Sequence, residues 1–328
     1  MIRTWRFLLP AVMSIACLLL LGFQWLDRYT TLGPIESLAF SPDGAYLAAG
    51  HRNGRVTLWD PSTRRRTDTL RSDNWAFEKL AVSHDGKWIA GIQRYGNEEA
   101  KVRIYDAASG TLVDSLEKGE SCSPVAFHPV KPWLVWVTGE EAISIWDVSE
   151  RREIRQLAPH KVRVSAFAFS RDGRHLAIGV LDMAGVPDNE SVIVIWDIER
   201  DCRVAEVKGL DSFPREVAYS PDGKSLGSIA LGGKFQLWDL KTGTAMLSLP
   251  EETWSPSSFS FNPEGTRVSV GLGNGSLLEY SIIDGRLLGE WSNESKDPGS
   301  ARHVRYDPIG RLLAYSADAN VVFQPLKK

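Results

Sequence analysis

Six histidines, at positions 51, 84, 128, 160, 175 and 303, and three cysteines, Cys17, Cys122 and Cys202, are the residues of this chain best suited to hold a metal or supply a nucleophile. Their spacing argues against both uses. No His-Glu-x-x-His or Cys-x-x-Cys occurs, so no pair of ligands is preset on one element. No Gly-x-Ser-x-Gly elbow or phosphate-cradling loop appears, and Gly271-Leu272-Gly273-Asn274-Gly275 reads as a hairpin turn. The acidic segment 182–190, with Asp182, Asp188 and Glu190, could take a weakly held Ca2+, although a solvated loop is the plainer reading. We therefore expect no enzyme: no catalytic residue, no metal and no cofactor.

Binding by large side chains remains, and which of them share a surface depends on the elements that carry them. In 328 residues there are twelve Trp, 28 Gly and 17 Pro, a composition that suits many short strands divided by turns. A hydrophobic fraction of 43% is ample for a packed core. The net charge of -3 is spread along the chain, so no basic face is gathered for nucleic acid, and we expect no such partner.

A turn recurs seven times: Ser41-Pro42-Asp43-Gly44, Ser83-His84-Asp85-Gly86, His128-Pro129-Val130-Lys131, Ser170-Arg171-Asp172-Gly173, Ser220-Pro221-Asp222-Gly223, Asn262-Pro263-Glu264-Gly265 and Asp307-Pro308-Ile309-Gly310. The copies are 42, 45, 42, 50, 42 and 45 residues apart, the period of a propeller blade. After each of the first six comes an aromatic that closes an apolar run: Trp59-Asp60, Tyr105-Asp106, Trp146-Asp147, Trp196-Asp197, Trp238-Asp239 and Tyr280-Ser281. Stretches such as Val56-Thr57-Leu58-Trp59 and Ile193-Val194-Ile195-Trp196 have the β-branched and aromatic content of strands. Pro presets φ for the turns while Gly and Asn tolerate positive φ. The spacing thus predicts an all-β chain of four-stranded antiparallel sheets.

On the Trp-Asp pairs and the Ser-Pro-Asp-Gly turns, residues from about 28 to 326 resemble the WD-repeat β-propeller family, of a membrane-anchored, bacterial type. The Gly-His pair frequent in that family survives only as Pro159-His160, so its histidine-based hydrogen-bonded tetrad is expected to be missing from most blades. The resemblance implies a seven-bladed ring. Closure hides sheet edges, and the last repeat shows three strands, so residues 28–32 are expected to supply its fourth.

The resemblance also implies a top face, built from the connections entering each inner strand and those joining second to third strands. Trp75, Phe77, Phe213 and Trp254 fall in the first kind, and His51, Arg52, Arg94 and Tyr95 in the second. Such residue types dominate interface hot spots. They are expected to bind a protein or peptide partner, unless the aromatics fold inward between blades. A channel-based enzyme or small-molecule receptor is the alternative. The opposite face carries Arg64, Arg65, Arg66, Arg151 and Arg152, with Lys87, Arg174 and Lys224, which could rest on anionic head groups.

Residues 7–26 carry no charge and are rich in Leu, Val, Ile and Phe, enough to span roughly 30 Å of hydrocarbon as a helix. The expected layout is a cytoplasmic tail at 1–6, a membrane anchor at 7–26 and a propeller at 27–328. Ser14-Ile15-Ala16-Cys17 leaves a lipoprotein cut before Cys17 open, but the apolar run continuing to Leu21 favours an uncleaved anchor. Arg3 and Arg6 before the span outnumber Arg28 after it, which places the propeller outside the cytoplasm by one charge, periplasmic or extracellular, with a cytoplasmic-facing propeller as the alternative.

Overall fold

The computed structural model describes residues 32–71, 76–94, 100–117, 124–138, 142–157, 162–182, 191–249, 255–291 and 303–326, and of 71, 94, 162, 163, 181 and 182 the backbone alone. The anchor at 7–26, residues 28–31 of the closing strand, Trp75, Tyr95 and Trp254 lie outside them. Residues 34–328 form one compact unit. The described residues contain no helix long and apolar enough to cross a membrane.

The strands fall into seven antiparallel sheets, each taken in chain order. Blade 1 holds β1 (Ile35–Phe40), β2 (Leu47–His51), β3 (Arg55–Asp60) and β4 (Arg65–Arg71). Blade 2 holds β5 (Ala76–Val82), β6 (Trp88–Arg94), β7 (Lys101–Asp106) and β8 (Leu112–Glu117). Blade 3 holds β9 (Val125–Phe127), β10 (Trp133–Thr138), β11 (Ala142–Asp147) and β12 (Arg152–Leu157). Blade 4 holds β13 (Val162–Phe169), β14 (His175–Asp182), β15 (Ser191–Asp197) and β16 (Cys202–Leu210). Blade 5 holds β17 (Pro214–Tyr219), β18 (Ser225–Ala230), β19 (Phe235–Asp239) and β20 (Thr244–Ser248). Blade 6 holds β21 (Pro256–Phe261), β22 (Arg267–Leu272), β23 (Leu277–Ser281) and β24 (Leu287–Trp291), and blade 7 holds β25 (Val304–Tyr306), β26 (Leu312–Ala317) and β27 (Asn320–Pro325). First strands of successive blades pack on one another, β1 with β5, β5 with β9, β9 with β13, β13 with β17, β21 with β25 and β25 with β1, and β21 packs on β18 of blade 5, so they are the inner strands of a closed seven-bladed propeller.

The recurring tetrapeptide is a self-contained turn. Ser41 Oγ donates to Asp43 Oδ1 at 2.7 Å and accepts the Tyr46 N–H at 3.0 Å, and Gly44 takes φ 68° where a Cβ would meet Asp307. Ser83, Ser170 and Ser220 pair with Asp85, Asp172 and Asp222 in the same way. In blade 3 the serine is His128, whose Nδ1 accepts the N–H groups of Val130 and Lys131 at 3.1 and 3.0 Å, which requires a neutral ring. The Asp after each Trp caps the turn between third and fourth strands: Asp60 Oδ1 accepts from Ser62 and Thr63, and Asp239 from Lys241 and Thr242. Two copies put Arg64 and Arg151 at left-handed φ of 58° and 53°, where the copies in blades 2, 5 and 6 have Gly110, Gly243 and Gly285.

Each inner strand from a four-stranded blade other than blade 3 carries a bulge near its start, at 35/37, 77/79, 164/166, 214/216 and 256/258. The extra residue lets two side chains three apart share a face, against the period of two. Ile35 with Leu38 and Phe77 with Leu80 are thereby buried as pairs. Phe77 and Leu80 both press on Gly50 of the previous blade and Gly91 of their own, and a Cβ on Gly91 would lie 2.5 Å from the Phe77 ring. Phe259 does the same against Gly227.

Ring closure joins blade 7 to blade 1 through an apolar cluster of Ile35, Leu38, Leu47 and Ala49 with Leu312, Ala314, Val321 and Phe323. Polar contacts reinforce it. Ile35 N donates to Asp318 O at 2.8 Å, and Arg311, held by Asp307 at 2.6 Å, donates to Gly44 O at 2.9 Å. Among the described residues blade 7 has three strands; Leu32, at the end of the expected closing segment, lies just before β1 and in no strand.

Burial, with Lys131 adding repulsion, pulls the His128 imidazole down to about 4, and hydroxyl and amide donors from Ser62 pull the Asp60 carboxyl down to about 2. Both groups are held in the form that accepts hydrogen bonds. The His128 contribution is complete above its unfolded value near 6.5 and is lost as pH falls toward 4; that of Asp60 is lost only below about 4. Thermal unfolding of His128→Asn, which supplies the acceptor that Asn262 supplies in blade 6, should flatten the decline of Tm between pH 6.5 and 4 while leaving the acid limb. An unchanged slope across that window would show that His128 is not the titrating group.

Candidate functional site

The inner strands end, on the side away from the Ser-Pro-Asp-Gly turns, around a cavity of about 770 Å³. Every blade lines it: Glu36, Glu78 with Lys79, Pro124, Ser165, Phe213 with Arg215, Glu216 and Leu231, Ser255 to Ser257, and His303. The bulged residues among these, Glu36, Glu78, Ser165, Arg215 and Ser257, occupy equivalent positions, so the bulge that buries an apolar pair also turns one side chain per blade toward the cavity.

Deeper along the same strands, the position before the last aromatic or aliphatic residue is small in six blades, Ala39, Ala81, Ala126, Ala168, Ala218 and Ser260, and Arg305 in the seventh. All seven are partly exposed although they sit on innermost strands. Arg305 fills the room the small residues leave. Its guanidinium donates to Ser258 Oγ at 2.9 Å and Phe259 O at 3.1 Å, and to Glu216 Oε1 at 2.8 Å. That ion pair joins blade 7 to blade 5, while the same guanidinium rests on Ser258 and Phe259 of blade 6 between them.

Lys79, on blade 2, faces the same group of charges, and its ammonium makes no hydrogen bond or ion pair among the described residues. Burial depresses the Lys79 ammonium below its usual range; Glu216 and Glu78 oppose this, while Arg305 and Arg215 add to it. At the rim, Arg52 donates from Nε to Glu36 Oε1 at 2.7 Å and stays mostly in solvent, and Lys234 pairs with Asp211.

The structure separates the eight residues expected on the top face. Phe213 lines the cavity next to Leu231, to whose N–H its carbonyl is bonded at 2.9 Å, and Leu231 is 49% exposed. Arg52 stands on the rim. Phe77 and His51 are corrected: both are 0% exposed. Phe77 is a wedge between blades 1 and 2, edge-on to Tyr105 at 6.3 Å, turned inward by the bulge. His51 Nε2 meets Thr57 Oγ1 at 2.9 Å, the same atom that accepts the Trp59 indole N–H at 2.9 Å, so His51 is held within its own blade. Arg94 ends β6, and its side chain, like Trp75, Tyr95 and Trp254, lies outside the described residues. Lys79, Glu216 and Arg305 were missed by residue type alone, yet the single Arg in a column of Ala was there to be read.

On the opposite face Arg151 pairs with Asp114 at 3.3 Å and Arg152 with Glu150 at 2.5 Å, while Arg64, Arg65 and Arg66 are exposed and make no ion pair among the described residues. Lys87, Arg174 and Lys224 are paired with Asp85, Asp197 and Asp222. Much of the positive charge there is locally neutralised. Among the described residues no group of three metal-ligating side chains occurs.

Compared with known families, residues 28–60 match the WD domain, G-beta repeat. The chain is 25% identical over 194 residues to the periodic tryptophan protein 2 homolog of Dictyostelium discoideum, covering 45% of this chain and 21% of that one. It is 32% identical over 170 residues to an uncharacterized WD repeat-containing protein of Synechocystis, covering 51% and 45%. With WD repeat and SOCS box-containing protein 1 of Danio rerio the identity is 26% over 217 residues, covering 62% and 49%. The chain thus spans less than half the length of each of these relatives.

The Arg305–Glu216 pair is partly buried, so removing one partner strands the other. A double-mutant cycle of Arg305→Ala and Glu216→Ala, followed by urea unfolding, should give a coupling of about 1–2 kcal/mol. A coupling under about 0.5 kcal/mol is what a solvated surface pair would show, and would remove the pair from the channel.

Proposed function

We propose that this chain is a WD-repeat propeller that works as a membrane-tethered scaffold and binds a protein or peptide partner over the top of its channel. The observation that carries the reading is the cavity to which all seven blades contribute, with an apolar lip at Phe213 and Leu231 beside the charged groups of Glu36, Arg52, Lys79, Arg215 and Glu216. A concave surface that mixes an apolar anchor with a few fixed charges is suited to one inserted segment of a partner. Glu216 and Glu36 are engaged by arginines, which suits them to be fixed charges of a binding surface.

The tether rests on the uncharged run at 7–26, and the outward-facing propeller on the arginines before it. In this arrangement Arg64, Arg65 and Arg66, on the face away from the cavity, are the groups left to meet anionic lipid. The match of residues 28–60 to the WD domain, G-beta repeat supports a role in protein interaction.

Crosslinking and affinity capture of the full chain from its native membranes should recover a stoichiometric protein, and Phe213→Ala with Leu231→Ser should reduce that recovery at least fivefold while Arg65→Glu leaves it unchanged. Equal capture by the lip variant would place the partner elsewhere. Recovery of the chain alone, with Tm raised by a small molecule instead, would favour a receptor or enzyme using the channel.

A further inference from the structure

Lys79 stands in the cavity wall with no hydrogen-bonding or ionic partner for its ammonium among the described residues, while the channel pairs Glu216 with Arg305 and Glu36 with Arg52. The cavity-lining charges and the arginines paired with them are four cations, Arg52, Lys79, Arg215 and Arg305, and three carboxylates, Glu36, Glu78 and Glu216. The excess is therefore one positive charge. Glu216 cannot supply the missing partner, because it is held by Arg305 at 2.8 Å, and Arg305 is itself fixed by Ser258 and the Phe259 carbonyl. The Lys79 side chain is only partly buried, so its ammonium is within reach of the cavity and free to pair with an anion delivered from outside.

The same arrangement selects among anions. A monoanion cancels the excess charge, whereas a dianion such as phosphate would overshoot it. The cavity opens at the top face, beside the apolar lip, so the anion arrives on something that also has apolar or extended surface. We propose that Lys79 is the core of a carboxylate-binding subsite that takes an Asp or Glu side chain, or a C-terminal carboxylate, of a peptide inserted into the channel. This rests on the scaffold reading above and names the chemistry of the segment recognised. Arg305 acts as a positioning residue, keeping Glu216 from collapsing onto Lys79.

The test uses the full chain and fluorescein-labelled tetrapeptides read by anisotropy. Tetraglutamate amide should bind saturably, with the affinity falling as salt is raised; Lys79→Met should weaken it at least tenfold and Lys79→Arg much less. Lys79→Met removes no bond seen among the described residues, so its melting curve should stay near that of the parent. Binding of free-acid tetraglutamine with the same Lys79 dependence would assign the carboxylate to a chain terminus rather than a side chain, within the same proposal. No saturable binding of either peptide, equal binding by Lys79→Met, tighter binding of tetralysine amide, or complete displacement by equimolar inorganic phosphate would overturn it. The scaffold reading is tested apart from this: if the membrane partner is captured equally by the parent and by Lys79→Met, the scaffold stands and the carboxylate subsite falls.

Discussion

Everything in this molecule depends on the contact between the first blade and the last. A four-stranded sheet has two edges and two faces to cover, and none of the seven can cover its own; each leans on its neighbours, and the sequence of neighbours has to end where it began. The cluster of Leu312, Ala314, Val321 and Phe323 against Ile35, Leu38 and Leu47 makes that join, and Arg311 ties Asp307 of blade 7 to the Gly44 carbonyl of blade 1. The close approach at Gly44, where a side chain would strike Asp307, shows why the turn is glycine at this position for tertiary as well as for local reasons.

Once the ring is closed, the inner strands cannot change their distance from the axis, and their side chains become a set of fixed points around a channel. The bulges then divide labour within each strand: two apolar side chains three apart pack between blades, and the residue displaced by the bulge looks into the cavity. The candidate site is thus a by-product of core packing. The same constraint explains how Arg305 can reach Glu216 two blades away, since its guanidinium spans the inner strand of the blade between them at Ser258 and Phe259. Blade 6 shows that a buried charge is tolerated where a partner is provided. Glu279 takes the place that Leu58 has in blade 1, and is held by the Tyr306 hydroxyl and Arg267.

The repeat was legible because it is written in turns, and turns are local. Ser-Pro-Asp-Gly and Trp-Asp satisfy their hydrogen bonds within five or six residues, so their chemistry survives without any knowledge of the fold, and the strands between them were bounded by these landmarks. Facing was less legible. Phe77 and His51 belong to top-side ends of strands, which the repeat places correctly, but a bulge reverses the alternation at Phe77, and the hydroxyl of Thr57 captures His51 from within its own blade. The channel charges were harder still, because Lys79, Glu216 and Arg305 lie more than two hundred residues apart end to end and converge only through closure. Aligning the repeats on their last inner-strand residue would have exposed Arg305 among the alanines; nothing local distinguishes Lys79 from any lysine on a strand.

The most direct test of this account is hydrogen exchange on Phe323→Ala, which opens the join at blade 7 and leaves every other blade intact. If closure holds the whole ring, protection should fall together in β1 and β26 at the join and in β9 and β13 on the far side, with one cooperative unfolding transition at lower Tm. Loss of protection confined to β25, β26 and β27, with the transition of the remaining blades unmoved, would contradict it and leave the channel without the constraint on which its chemistry rests.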